Sequence, residues 1–278
     1  MTNIVEHCYS KFKNIVESRN LLDGPNKFLL LFSCGKDCTM LLDLLLRYFE
    51  ENNISAPLEV FSVAFPKHMY FDGQQEKQNY ADIKQYWQQR NVDITYVVPT
   101  DDDFADDDKH GCSTCKKARK AVIDPFVNDK ESQLGIFTGF TMYDALAYLD
   151  MLMIKCHYNL ANINNLPEPQ KSITTKMLHK ISLKEHLPNN KYMIRPIVPF
   201  NEMEVEEYLR ERNIPYLTTP CKISGYKFKR QYSRALKILD DIPSYEDIEQ
   251  FLLKNGIEIN NNGLSFDDVV DDNFFIDC

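Results

Sequence analysis

The stretch Phe28-Leu-Leu-Leu-Phe-Ser-Cys-Gly-Lys-Asp-Cys-Thr-Met-Leu-Leu-Asp43 decides how this 278-residue chain folds. Its apolar run, Phe28 to Phe32, reads as a buried parallel strand. A short loop follows, Ser33-Cys34-Gly35-Lys36-Asp37-Cys38, and Thr39 to Tyr48 opens a Leu-rich helix. Strand, small-residue loop and helix N-terminus together cradle an anion, because the loop N–H groups and the helix dipole face the same point. A Walker A loop needs a longer spacer and Gly-Lys-Ser/Thr. Here the loop is shorter and Asp37 follows the lysine, which points to a different phosphate loop. An ordinary strand-to-helix turn is the plain alternative.

Outward from this stretch, strands and helices alternate. Val5 to Ser18 reads as an amphipathic helix ahead of the first strand. Leu58 to Phe65 is a second strand, Gln75 to Arg90 a helix, and Val92 to Val98 a third strand. Pro99 to His110 is acidic and loop-like. Cys112 to Val127 reads as a helix with a cysteine pair near its start. Gly135 to Gly139 is a fourth strand, and Tyr143 to Tyr158 a helix. Asn159 to Asn190 is polar and interrupted by proline, which predicts an excursion or flexible connection. Tyr192 to Val198 is extended. Asn201 and Glu204 form a capping-box variant that starts a further helix. Lys229 to Leu239 and Tyr245 to Lys254 complete the helices. This alternation predicts an α/β fold, a doubly wound parallel sheet with helical N- and C-terminal additions. Ligands in such sheets sit at the carboxyl ends of the strands. The loop, Ala64, the Cys112 region and Gly139 to Asp144 all fall there. The expected divisions are an N-terminal helix over 1–25, the main domain over 26–240, and a helical, acidic tail over 241–278.

Composition is that of a globular chain. No apolar run approaches the ~20 residues that span a bilayer. Met1 to His7 lacks a basic and an apolar leader region, so a cytoplasmic location and reduced thiols are expected. Eight cysteines then call for a reason other than disulfides. Cys8, Cys156 and Cys278 are isolated and read as packing residues. The net charge of −9 argues against a nucleic-acid partner. Its distribution softens that point. Acid concentrates in Asp101 to Asp103, Asp106 to Asp108 and Asp267 to Asp272. Base clusters in Lys116 to Lys120 and Lys222 to Arg230, each directly after a cysteine motif.

The loop Ser33 to Cys38 resembles the Ser-Gly-Gly-x-Asp-Ser loop of the PP-loop ATP pyrophosphatases. Cys112-Ser-Thr-Cys115, Gly139 to Asp144, Ile194-Arg-Pro-Ile197 and Pro220-Cys221 follow in order. That order is similar to the tRNA thiolation branch, the TtcA/TtuA-like 2-thiocytidine and 2-thiouridine synthetases, over about residues 26 to 234. Departures mark a divergent member. Cys34 stands where the family has its first glycine, and Cys38 where it has serine. The family's His-x-x-Asp-Asp appears as Phe140-Thr-Met-Tyr-Asp144, keeping only the last acid. Ser224 stands where 2-thiocytidine synthetases have a fourth cysteine, and the flanking zinc modules of the 2-thiouridine branch are missing.

The resemblance implies a Rossmann-like PP-loop fold and an ATP-dependent transferase that thiolates tRNA. ATP and Mg²⁺ are the implied cofactors. Ser33, Cys34, Gly35, Lys36, Asp37 and Cys38 would bind nucleotide, with Ala64 and Gly139 beside them. Lys36, Asp144 and Arg119 are the implied catalytic residues, and Asp37 or Asp144 would hold Mg²⁺. The plain alternative for Asp144 is a first-turn acid favoured by the helix dipole. Cys112, Cys115 and Cys221 have three readings. The family implies that they hold a 4Fe-4S cluster with one open iron. A zinc site would recruit His110 as fourth ligand, and redox-active thiols could carry a persulfide. Implied partners are a tRNA or other nucleobase substrate and a sulfur donor. A homodimer is left open. Competing readings keep the loop but change the acceptor to a small molecule or protein, FMN adenylylation included, or make the protein a nucleotide or cluster sensor. Trp87 reads as core. Arg195 reads either as a phosphate contact or as a surface ion pair.

Overall fold

The structure, a computed structural model, describes residues 3–64, 73–98, 111–130, 133–147, 149, 181–218 and 243–254, with only the backbone of 73–77 and 111–116. Cys221, His110, the basic run 222–230, the helix expected over 229–239 and the acidic tail lie outside these residues. The elements are α1 (Ile4–Ser18), β1 (Lys27–Leu31), α2 (Lys36–Glu51), β2 (Leu58–Val63), α3 (Gly73–Gln88), β3 (Ile94–Val97), α4 (Gly111–Asn128), β4 (Leu134–Phe137), β5 (Lys184–Leu187), β6 (Lys191–Ile194), α5 (Glu202–Arg212) and α6 (Tyr245–Lys254). A helical segment also covers residues 142–147.

The strands form one sheet in the order β3-β2-β1-β4-β6-β5. All pairings are parallel except that of β5 with β6. β1 lies inside the sheet, so Phe28 to Leu31 are buried on both faces, as the apolar run requires. Its side chains alternate. Phe28 and Leu30 join the larger core cluster with α1, α2, α5 and α6. Leu29 and Leu31 join Ile123 and Val127 of α4 on the other face. Trp87 is fully buried and meets Phe32 edge-on.

The antiparallel edge corrects the expectation of a connection over residues 159–190. Lys184–Leu187 alternates, with Glu185 and Leu187 buried. A 3-10 turn, Pro188–Asn190, returns the chain into β6. Asn189 and Asn190 both take positive φ, at 61° and 54°. Asparagine tolerates that region better than other side chains, which makes it a hairpin residue. Polar composition hid a strand that buries only one residue in two.

α5 begins as the sequence predicts. Asn201 Oδ1 accepts from Glu204 N–H at 2.9 Å, and the Glu204 carboxylate accepts from Asn201 N–H at 2.8 Å. Glu204 also receives Lys11 of α1 at 2.8 Å. Among the described residues no helix is long and apolar enough to cross a membrane.

Candidate active site

β2 and β3 continue the sheet on one side of β1, and β4 opens the other side. The chain direction across the sheet therefore switches between β1 and β4, the position at which doubly wound sheets bind ligands. The Ser33–Cys38 loop leaves β1 at this point, and residues 138–144 leave β4. Gly35 is the N-cap of α2, and no side-chain hydrogen bond from it caps the helix. The N-terminal turn of α2 thus keeps donors for an anion.

Close packing of the two segments depends on Gly139. A Cβ there would stand 2.7 Å from the backbone nitrogen of Cys38 and 2.7 Å from its Sγ. Within the loop, Ser33 Oγ accepts from Gly35 N–H at 3.3 Å. Cys34 takes a φ of 61°, in the left-handed region. A side chain there costs about 1–2 kcal/mol relative to the right-handed region. Two contacts offset this strain. Cys34 Sγ lies 3.5 Å from Ser62 Oγ, and the Cys34 carbonyl accepts from Leu217 N–H at 2.7 Å. Cys38 is buried, and its thiol donates to the Leu31 carbonyl at 3.6 Å. Burial pushes that thiol up, against hydrogen bonds from Ser33. It packs as a buried thiol between the loop and β1.

Charge gathers at the start of α2. Lys36 Nζ lies 3.0 Å from Asp37 Oδ1 and 3.3 Å from Glu202 Oε1. Burial pulls the Lys36 ammonium down, but Asp37, Glu202 and Asp144 outweigh it and hold it above its ordinary value. Asp37 is raised by burial and further by Asp144, against the pull of Lys36. Asp144 is buried, and its Oδ2 accepts from Thr141 N–H at 2.8 Å and from Thr141 Oγ1 at 3.3 Å. It therefore caps the helical segment 142–147 from within its first turn, where the sequence also allowed an acid favoured by the helix dipole, while its charge still reaches Lys36. Carboxylates of this kind suit Mg²⁺, which binds one or two of them together with substrate phosphates. Among the described residues no three acid, His or Cys side chains converge as a metal cage.

Of the sequence-predicted residues, Ser33 to Cys38, Gly139 and Asp144 meet at the switch point. Ala64 follows β2, buried, with its N–H donating to Val97 O at 2.9 Å. Arg119 is buried in α4. Lys191, at the start of β6, donates to the Val127 carbonyl near the C-terminus of α4. Cys112 and Cys115 lie near the start of α4, at the end opposite Val127. Arg195 is neither a phosphate contact nor a surface ion pair. It pairs with Glu185 at 3.2 Å, both side chains buried, and donates to Ser182 O at 3.0 Å. Sequence reading missed Glu202. Its neighbour Glu204 carries a capping signature, but nothing local marks Glu202.

Comparison with known proteins fits this geometry. No family model matches the chain. It is 22% identical over 234 residues to tRNA-cytidine(32) 2-sulfurtransferase 2 of Francisella tularensis, covering 80% of this chain and 78% of that protein. It is 23% identical over 228 residues to tRNA-cytidine(32) 2-sulfurtransferase 1 of Francisella philomiragia, covering 80% and 77%. Over most of its length the chain is thus similar, at low identity, to tRNA 2-sulfurtransferases. Its fold is shared with U34-tRNA thiolase NcsA from Methanococcus maripaludis, solved with its 4Fe-4S cluster. That superposition has a TM-score of 0.56 at 16% identity and covers 90% of this chain and 78% of the other. In the Ser33–Cys38 loop, Cys34 takes a left-handed φ of 61° that glycine adopts without strain.

Proposed function

We propose that this protein is an ATP-dependent sulfurtransferase that activates a carbonyl on a tRNA base and replaces its oxygen with sulfur. The observation that carries this reading is the Ser33–Cys38 loop packed against Gly139 at the β1/β4 switch point, in a chain similar to 2-sulfurtransferases. The base carbonyl oxygen attacks the α-phosphorus of ATP. The bond from that phosphorus to the bridging oxygen breaks, and pyrophosphate leaves with the electron pair. The loop N–H groups and Ser33 hold the departing phosphates, and Lys36 offsets their charge. Asp37 or Asp144 would hold Mg²⁺ that arrives with the nucleotide. Ala64 and Gly139 border the nucleotide, and Arg119 serves the phosphoryl centre. Sulfide from a sulfur donor then adds to the activated carbon, and AMP departs with the original oxygen. Cys112, Cys115 and Cys221 would hold a 4Fe-4S cluster through their thiolates, and such a cluster would supply a binding point for sulfide.

Anaerobic purification with iron and sulfide analysis tests the reading. Brown protein is expected, with visible absorption lost in Cys112→Ala. Iron-free, colourless protein after reconstitution rejects the sulfur-transfer mechanism. A second reading keeps the ATP chemistry and changes the acceptor to a small molecule or a protein, and the net charge of −9 favours it. Mass spectrometry of tRNA from a deletion strain separates the two, because only the first predicts a missing thionucleoside.

A further inference from the structure

Glu202 belongs to the site by position, yet the reaction described above gives it no part. It opens α5, whereas Lys36 and Asp37 open α2. Its carboxylate is 3.3 Å from Lys36 Nζ, on an ammonium that Asp37 also contacts at 3.0 Å. The Glu202 side chain is largely buried, at 13% exposure, so this contact is little screened by water. A lysine is a point charge on a flexible stem and takes whatever anion is nearest. Asp37 is its chain neighbour. With Asp37 alone, the ammonium would rest on the acid beside it and neutralise the carboxylate that the site offers to a cation. A second acid from another helix divides the ammonium between two anchors.

We infer that Glu202 is a positioning residue that shares the Lys36 ammonium with Asp37 and presets it for the β- and γ-phosphates of a bound nucleoside triphosphate. The inference rests on the ATP reading of the loop. Presetting the lysine removes the need to order its side chain at the moment of binding. It acts only on ligands whose phosphates reach Lys36. AMP, which lacks the departing phosphates, is indifferent to it.

Calorimetric titration with Mg²⁺ and α,β-methylene ATP, which cannot release pyrophosphate, tests the inference, with AMP as the paired ligand. Glu202→Gln is expected to weaken α,β-methylene ATP by about tenfold and leave AMP within about twofold. Glu202→Asp keeps a negative charge at the start of α5 but is one methylene short of Lys36, and it is expected to behave like Glu202→Gln. A purely structural role at the helix N-terminus predicts the opposite, with aspartate restoring wild-type binding. Glu204→Gln, which disturbs the cap of the same helix, serves as the structural control and leaves the ratio of the two affinities unchanged. Equal loss for both ligands in Glu202→Gln, unchanged or tighter α,β-methylene ATP binding, or rescue by aspartate overturns the inference. If wild-type protein binds neither nucleotide, the ATP reading itself falls and takes the inference with it. If wild type binds and only the Glu202 contrast is missing, the ATP reading stands alone.

Discussion

α2 and α5 meet at two charged contacts that are built in opposite ways. Near the start of both helices, one lysine, Lys36, faces Asp37 and Glu202, with Asp144 close enough to act on it. Further along, one carboxylate, Asp43, is shared by Tyr208 and Arg212. It accepts from the Tyr208 hydroxyl at 2.6 Å and from the Arg212 guanidinium at 3.0 Å on each oxygen. The order of the contacts is the same along both helices, so the helices run in the same direction. At Asp43 the donors saturate one buried acid, and the planar arginine fork fixes its geometry. At Lys36 the acids outnumber the cation, and the lysine has no fixed geometry of its own. The first arrangement is a fastener. The second can be rearranged by an incoming phosphate and its metal.

The largest expected effect breaks the fastener. Asp43→Ala leaves a buried tyrosine hydroxyl without its acceptor and separates α2 from α5. It is expected to lower stability by about 3 kcal/mol in denaturant titration. Nucleotide affinity of the folded fraction is expected to stay near wild type. A loss of affinity larger than the loss of stability would show that the two contacts act as one unit.

Lys36→Met reverses the pattern. Affinity for α,β-methylene ATP is expected to fall by about 100-fold, because a charge-assisted contact to phosphate is lost. Stability is expected to fall by only about 1 kcal/mol, since Asp37 and Glu202 both sit in the first turn of a helix, whose dipole favours the acids left behind. A collapse of stability equal to that of Asp43→Ala would erase the distinction between the two sites.

The smallest effect concerns Cys34. Cys34→Gly relieves the left-handed backbone but loses the contact with Ser62, so stability is expected to stay within about 1 kcal/mol of wild type. Cys34→Val places a β-branched side chain at that φ and is expected to be clearly less stable by thermal melting. Equal melting of the valine and glycine variants would show that the loop relaxes out of the left-handed conformation.

Local chemistry made much of this molecule legible from its residues. Phe28 to Asp43 announces a strand, a loop and a helix, because an apolar run, small residues and a Leu-rich repeat act over short distances. The Asn201–Glu204 cap and the span of α6 follow for the same reason, since both depend on neighbours within one turn. Three features were decided only by tertiary contact. β5 forms because β6 offers an edge to Lys184–Leu187, and no apolar run signals it. Asp144 turns to accept from Thr141, a partner that its sequence position, open to a first-turn acid or a catalytic one, does not name. Glu202 reaches Lys36 because α5 packs beside α2, across a separation in the chain that no periodicity encodes. Sequence specifies what each segment can become on its own. The partners of a buried charge depend on which segments the sheet brings together.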